Sequence, residues 1–167
     1  MSKAPVRPAR RLVLVFLLTL ASAALVAQGA MALNVSLHRY YNPGNGDHFY
    51  TTDFNELGNY GLGYYYEGVC CHIDSRSGSG NAPFYRFYNP SNGGHFYSTN
   101  YYEAPAGYNF EWIQGYIYPT NYTGSLVPLY RYYNAGWDKF FYTTNYYELG
   151  AGAQGWVYQT IAGYVRP

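Results

Sequence analysis

One tyrosine-rich pattern occurs three times along this chain, and a chain written in three like copies must fold as three like units that shelter one another. Arg39-Tyr40-Tyr41-Asn42 returns as Arg86-Phe87-Tyr88-Asn89 and as Arg131-Tyr132-Tyr133-Asn134, at spacings of 47 and 45 residues. From each arginine the register holds without a gap. Phe49-Tyr50-Thr51-Thr52 matches Phe96-Tyr97-Ser98-Thr99 and Phe141-Tyr142-Thr143-Thr144, and Glu56, Glu103 and Glu148 each fall 17 residues after their arginine. Beyond a loop of variable length, Gly63 to Glu67 corresponds to Gly107 to Glu111 and Gly155 to Gln159. The repeats span about 35–80, 81–125 and 126–167. Self-similarity at such a period is the mark of a repeat architecture.

Each repeat opens with an aromatic strand, turns at a Gly/Asn-rich run such as Asn42 to Gly46, and returns as a second strand, His48 to Thr52 in the first copy. Asp53, Asn100 and Asn145 then stand three residues before Glu56, Glu103 and Glu148, which predicts an N-cap with a capping-box acid and a short helical turn. The repeat closes on Tyr64 to Ile73 and its counterparts, read as a long kinked strand or a second hairpin hinged near Gly68. The fold class is all-β with short helical turns. Three units left open would expose strand edges, so they are expected to close around a pseudo-threefold axis. The β-trefoil is the favoured closure, with a three-bladed propeller-like ring as the alternative.

The N-terminus sets the compartment. Lys3, Arg7, Arg10 and Arg11 precede an apolar run from Leu12 to Val26, and Ala30 and Ala32 offer an A-x-A cleavage site. Residues 1–32 therefore read as an export signal and 33–167 as one secreted domain, extracellular or periplasmic, with no membrane span once the signal is removed. The Arg10-Arg11 pair also admits twin-arginine export. Residues 33–167 carry six basic and nine acidic side chains, a net charge near −3, and lack the concentrated basic face that nucleic acid requires. All 24 tyrosines lie there, ready to form aromatic layers or exposed stacking surfaces.

Leu129 to Asn134, Asn45 to Thr52 and Gly63 to Val69 together resemble a family of secreted-protein repeats of unknown function found mainly in bacteria and fungi. The resemblance covers nearly all of residues 33–167. In that family the repeat occurs alone or attached to secreted enzymes, especially hydrolases, which implies an accessory rather than catalytic role. It carries no assigned site residue. Two departures stand out: Trp137-Asp138-Lys139-Phe140 replaces the Asp-His step in the third repeat, and Cys70-Cys71 interrupts the first.

The residues themselves suggest no catalyst. No nucleophile elbow occurs, and no two of the nine acids are paired beyond the repeated Glu. His48 and His95 match, but Phe140 fills the third place, so no metal-ligand spacing emerges; no cofactor is implied. The repeated arginines and glutamates read as scaffold, an arginine tying strand carbonyls or a carboxylate across units. Cys70 and Cys71 should point to opposite faces of a regular strand, and either a vicinal disulfide or free thiols fit. What remains is the chemistry of the hairpin tips: Asn45, Asp47, His48, Asn92, His95, Trp137 and Asp138. Rings beside short polar groups suit sugar faces and hydroxyls, and several such sites on one domain gain by multivalency. The expected function is a non-catalytic module binding an extracellular glycan or cell-surface polymer, against a structural or adhesive protein-interaction module that binds no sugar.

Overall fold

The computed structural model describes residues 33–167, so the export signal expected over 1–32 lies outside the described residues. Ten strands carry the fold. The first repeat supplies β1 (Asn34–Asn42), β2 (Asp47–Thr51), β3 (Tyr60–Gly61) and β4 (Tyr64–Asp74). The second supplies β5 (Ala82–Asn89), β6 (Gly94–Ser98) and β7 (Asn109–Ile117), and the third β8 (Val127–Asn134), β9 (Lys139–Thr143) and β10 (Trp156–Val165). The only helical elements among the described residues are 3-10 turns at Phe54–Glu56, Tyr101–Glu103 and Tyr146–Glu148. The chain is all-β with short helical turns.

Pairing follows one rule in each unit. The hairpin strands β1 and β2 pair antiparallel, from His38 opposite Thr51 to Asn42 opposite Asp47, and β4 covers the other edge of β1. β5 lies likewise between β6 and β7, and β8 between β9 and β10. Each unit is thus an inner, a middle and an outer strand, to which the first adds two-residue β3 against β4. The closing segment of each repeat is one long strand, not a second hairpin, because two β-bulges absorb its kink. In β4 the extra residues are Glu67 and Cys70, in β7 Glu111 and Gln114, and in β10 Gln159 and Ala162.

Every residue of the three inner strands β2, β6 and β9 is buried, and the strands lie against one another. Their free edges would be a liability if their amides had no partner. Tyr50, Tyr97 and Tyr142 supply one in rotation. The Tyr50 hydroxyl donates to the Tyr142 carbonyl at 2.6 Å and accepts from the Tyr142 amide at 2.8 Å. Tyr97 does the same to Tyr50, and Tyr142 to Tyr97. The rings meet edge to face, with centroids 5.4 to 5.5 Å apart. Leu37, Phe84 and Leu129, one from each middle strand, and Ile73, Ile117 and Val165 from the outer strands complete the shared core.

The outer strands meet at their ends in a nearly closed, barrel-like arrangement. Asp74 of β4 pairs with Tyr116 of β7, Tyr118 bridges to Tyr164, and Arg166 bridges to His72. Buried Asp74 ties the junction: it accepts from the Tyr118 hydroxyl at 2.5 Å, from Asn81 at 3.1 Å and from Arg166 at 3.2 Å.

Two local expectations change. Asp53, Asn100 and Asn145 cap their turns by accepting from the amides of Asn55, Tyr102 and Tyr147. The glutamates do not complete a capping box, since Thr51 and Thr143 donate to Glu56 and Glu148 at 2.6 Å and Ser98 donates to Glu103. Cys70 and Cys71 are free thiols and do not point to opposite faces. The bulge at Cys70 breaks the alternation, so Cys71 sits in the core and Cys70 packs against it.

Candidate functional site

The arginine that opens each repeat organises the seam between two units. Arg86 Nε bonds Glu111, the bulge residue of its own outer strand, at 2.9 Å, and its terminal nitrogens reach Glu56 of the preceding unit at 3.0 and 3.2 Å. Its guanidinium lies 4.7 Å over the Phe49 ring. Arg39 repeats this with Glu67, Glu148 and Phe141, and Arg131 with Gln159, Glu103 and Phe96. Burial opposes the Arg39 charge, but the surrounding negative field, Glu67 and Glu148 included, outweighs it and raises the pKa. Burial pushes Glu67 up, with Glu148 adding to it against the pull of Arg39. A guanidinium fork holding two carboxylates, or at Arg131 one carboxylate and an amide, together with an aromatic face fixes the spacing of the units.

Clefts built from corresponding residues open at two seams among the described residues. Between the first and second units lies a cavity of about 360 Å³, walled by Phe49, Tyr64 and Tyr88, with His95 and Glu111 on one side and Glu56 on the other. Between the third and first units lies one of about 380 Å³, walled by Phe141, Trp156, Trp137 and Tyr41, with His48, Glu67 and Glu148 in the same places. In both, the histidine Nε2 stands 3.8 Å from the bulge glutamate. A tyrosine ring covers each histidine, Tyr88 at 5.0 Å and Tyr41 at 4.8 Å between centroids. At the third seam Phe140 replaces the histidine and Gln159 the glutamate. There Phe140 packs edge-on against Phe96 at 4.8 Å and Tyr108 at 5.8 Å. Histidine and glutamate are kept together or lost together.

The expected site residues divide accordingly. His48 and His95 line clefts, one each, and Asn45 borders the cleft between the first and second units. Asp47, with no exposed surface, is spent inside the protein: it accepts from Tyr64 Oη at 2.7 Å, from the His95 amide at 2.9 Å and pairs with His95 Nδ1 at 2.6 Å. Asn45 donates to the Gly93 carbonyl, and Asn92 donates to Asp138 Oδ2 at 2.6 Å, so these turn amides tie hairpin tips to one another. Asp138, at φ 52°, occupies the left-handed turn position that Gly46 and Gly93 hold elsewhere, and Tyr133 donates to its carboxylate. Trp137, 52 % exposed, lies over Gly46 and walls the cleft between the third and first units.

The two histidines differ behind the cleft. His95 has Asp47, whereas Lys139 stands at the corresponding place for His48 and turns its ammonium to the Asn92 carbonyl at 2.6 Å. His48 Nδ1 is buried without a partner. Burial, with Arg39 nearby, pushes the His48 pKa down to about 3, so the ring is neutral at ordinary pH.

Sequence reasoning by hairpin tip missed Tyr41, Tyr64, Glu67, Glu148 and Trp156, which arrive at each cleft from other strands or from the neighbouring unit. Among the described residues, no group of three or more His, Cys, Asp or Glu could hold a metal ion, and no helix is long and apolar enough to cross a membrane. A family model described as Domain of unknown function (DUF5648) matches residues 36–166. No curated protein and no solved structure matches the chain.

Proposed function

The chain belongs to the family Domain of unknown function (DUF5648), and we propose that it is a secreted, non-catalytic module that binds carbohydrate in two seam clefts. The single observation that carries the reading is the paired cleft: two cavities of near-equal volume lined by corresponding aromatic rings, a histidine and two glutamates. Aromatic walls accept the apolar face of a pyranose, and carboxylates accept hydrogen bonds from its hydroxyls. The volumes lie within the range of small-ligand sites. In each cleft both acids hang on one guanidinium, which suits gripping hydroxyls better than delivering protons.

We read the closure as a three-bladed ring around a pseudo-threefold axis. Inner-middle-outer pairing in every unit and the cyclic tyrosine bonds favour the ring over a β-trefoil, which would ask for four strands from each unit.

The test is stoichiometry. Titration calorimetry against ligands found on an array of neutral, amino and acidic oligosaccharides should return two sites per chain. His48→Phe with Glu67→Gln copies the third seam into the cleft between the third and first units, and His95→Phe with Glu111→Gln copies it into the cleft between the first and second units. Each pair should remove one site, and all four changes both. Array-wide absence of binding ends the carbohydrate reading. It would favour adhesion to protein instead, for which Tyr102 and Tyr147, each 91 % exposed, offer bare rings.

A further inference from the structure

The seam between the first and second units does not stop at its cleft. Beyond the Arg86–Glu56 pair lies a hollow of about 230 Å³ that includes both residues in its lining. This hollow shares Thr52, Trp112 and Gln114 with a broader groove of about 620 Å³ that runs along β7 past Phe110 and Ser75. Trp112 stands on β7 opposite Arg86, 63 % exposed. The corresponding residues are Gly68, opposite Arg39, and Thr160, opposite Arg131, so no other seam has a ring at this place.

We propose that this seam binds an extended, neutral glycan chain of the straight, equatorially linked kind, which a groove running along a single strand would follow. The cleft seats one pyranose and Trp112 stacks on a later one, while the clefts' third-to-first counterpart takes a single residue. The inference rests on the carbohydrate reading above and adds to it a ligand of several units at one defined seam. Three features carry it. A large indole left in solvent costs the free chain burial that a flat sugar face restores. Polar groups suited to hydroxyls line the same path, among them Gln114, Glu111 and the Ser75 hydroxyl, whose oxygen is buried without a partner. The guanidinium on the path, Arg86, is already bonded to Glu56 and Glu111, so nothing there is arranged to hold a uronate or a phosphate.

The experiment is a chain-length titration. Cello-oligosaccharides and chito-oligosaccharides, each from monosaccharide to hexasaccharide, are titrated into the wild-type chain and into Trp112→Thr, the residue the third unit carries. In the wild type, affinity for the tetrasaccharide or longer in one ladder exceeds that for its monosaccharide by about tenfold, the scale of one added aromatic contact. Trp112→Thr abolishes that gain, leaves monosaccharide affinity unchanged and leaves the thermal midpoint in place. Equal affinity at every length, or a length gain that survives Trp112→Thr, overturns the extended site while leaving single-residue binding intact. Failure of both ladders to bind at any length overturns the extended site and withdraws support from carbohydrate binding itself.

Discussion

Replacing His48 by phenylalanine should make the protein more stable, and increasingly so in acid. His48 Nδ1 is enclosed without a hydrogen-bond partner, and an unsatisfied buried polar atom costs about 1–3 kcal/mol. Phenylalanine already fills the corresponding place at the third seam, where Phe140 packs on Phe96. The ring at 48 would meet Phe141, now 4.6 Å from the histidine centroid, in the same way. Allowing for imperfect fit, the gain at pH 7 is about 1–2 kcal/mol. The acid dependence follows from linkage. The unfolded chain protonates His48 near its ordinary value of 6.5, whereas the folded chain holds the ring neutral down to about pH 3. Across that window the unfolded state binds the extra proton, so wild-type stability falls on acidification by roughly 1.4 kcal/mol per pH unit from this group. At pH 4.5 the advantage of His48→Phe should therefore have grown by about 2.7 kcal/mol. Urea denaturation of both proteins at steps from pH 7 to pH 4.5 measures this, since the titrations they share cancel in the difference. A difference that stays constant with pH would refute the reasoning, because it would mean that His48 titrates alike in both states.

Three further outcomes are expected. Tyr97→Phe strips one hydroxyl and leaves both the amide and the carbonyl of Tyr50 unpaired, so urea denaturation should register a loss of roughly 2–5 kcal/mol; a loss below about 1 kcal/mol would show that the hydroxyl cycle is incidental. Gly46→Ala adds a Cβ 2.4 Å from Trp137 at a residue with φ of +73°, so it should cost about 1–2 kcal/mol and displace the indole. Its mark is weakened ligand binding at the cleft lined by Trp137 with the other cleft unaffected, and equal loss at both would contradict the placement. Arg166→Met removes two bonds to buried Asp74 and should lower stability by about 1–3 kcal/mol in urea denaturation; an unchanged midpoint would mean that Tyr118 and Asn81 suffice.

Much of the local structure could be read directly, because hairpins, turn residues and caps are decided within a few positions. Asn42, Asn89 and Asn134 anchor the turns by accepting from Gly44, Ser91 and Gly136, as a turn-forming asparagine should. What escaped reading depends on the neighbouring unit. Glu56 looks like a capping-box acid until Arg86, 30 residues on, claims it. Asp47 and His95 look like exposed tip residues until the inner strands are turned toward one another. The clefts were legible only in part, since each is assembled from two units and from both their inner and outer strands. One signal was available: Phe140 and Gln159 depart from the pattern in the same repeat, as two residues serving one site would.

The tyrosine cycle sets a rule for how such a chain can change its length. A solenoid can gain or lose a repeat at either end because each repeat touches only its neighbours. A closed cycle has no end at which to do so. Deleting one unit strands a hydroxyl and bares the amide and carbonyl of another strand at once, and inserting a fourth separates partners that now meet at 2.6 to 2.9 Å. Copy number is thus a property of hydrogen-bond geometry, and unequal recombination between the repeats should yield chains that do not fold. The three copies are free to diverge in the side chains they present at the seams but not in how many they are.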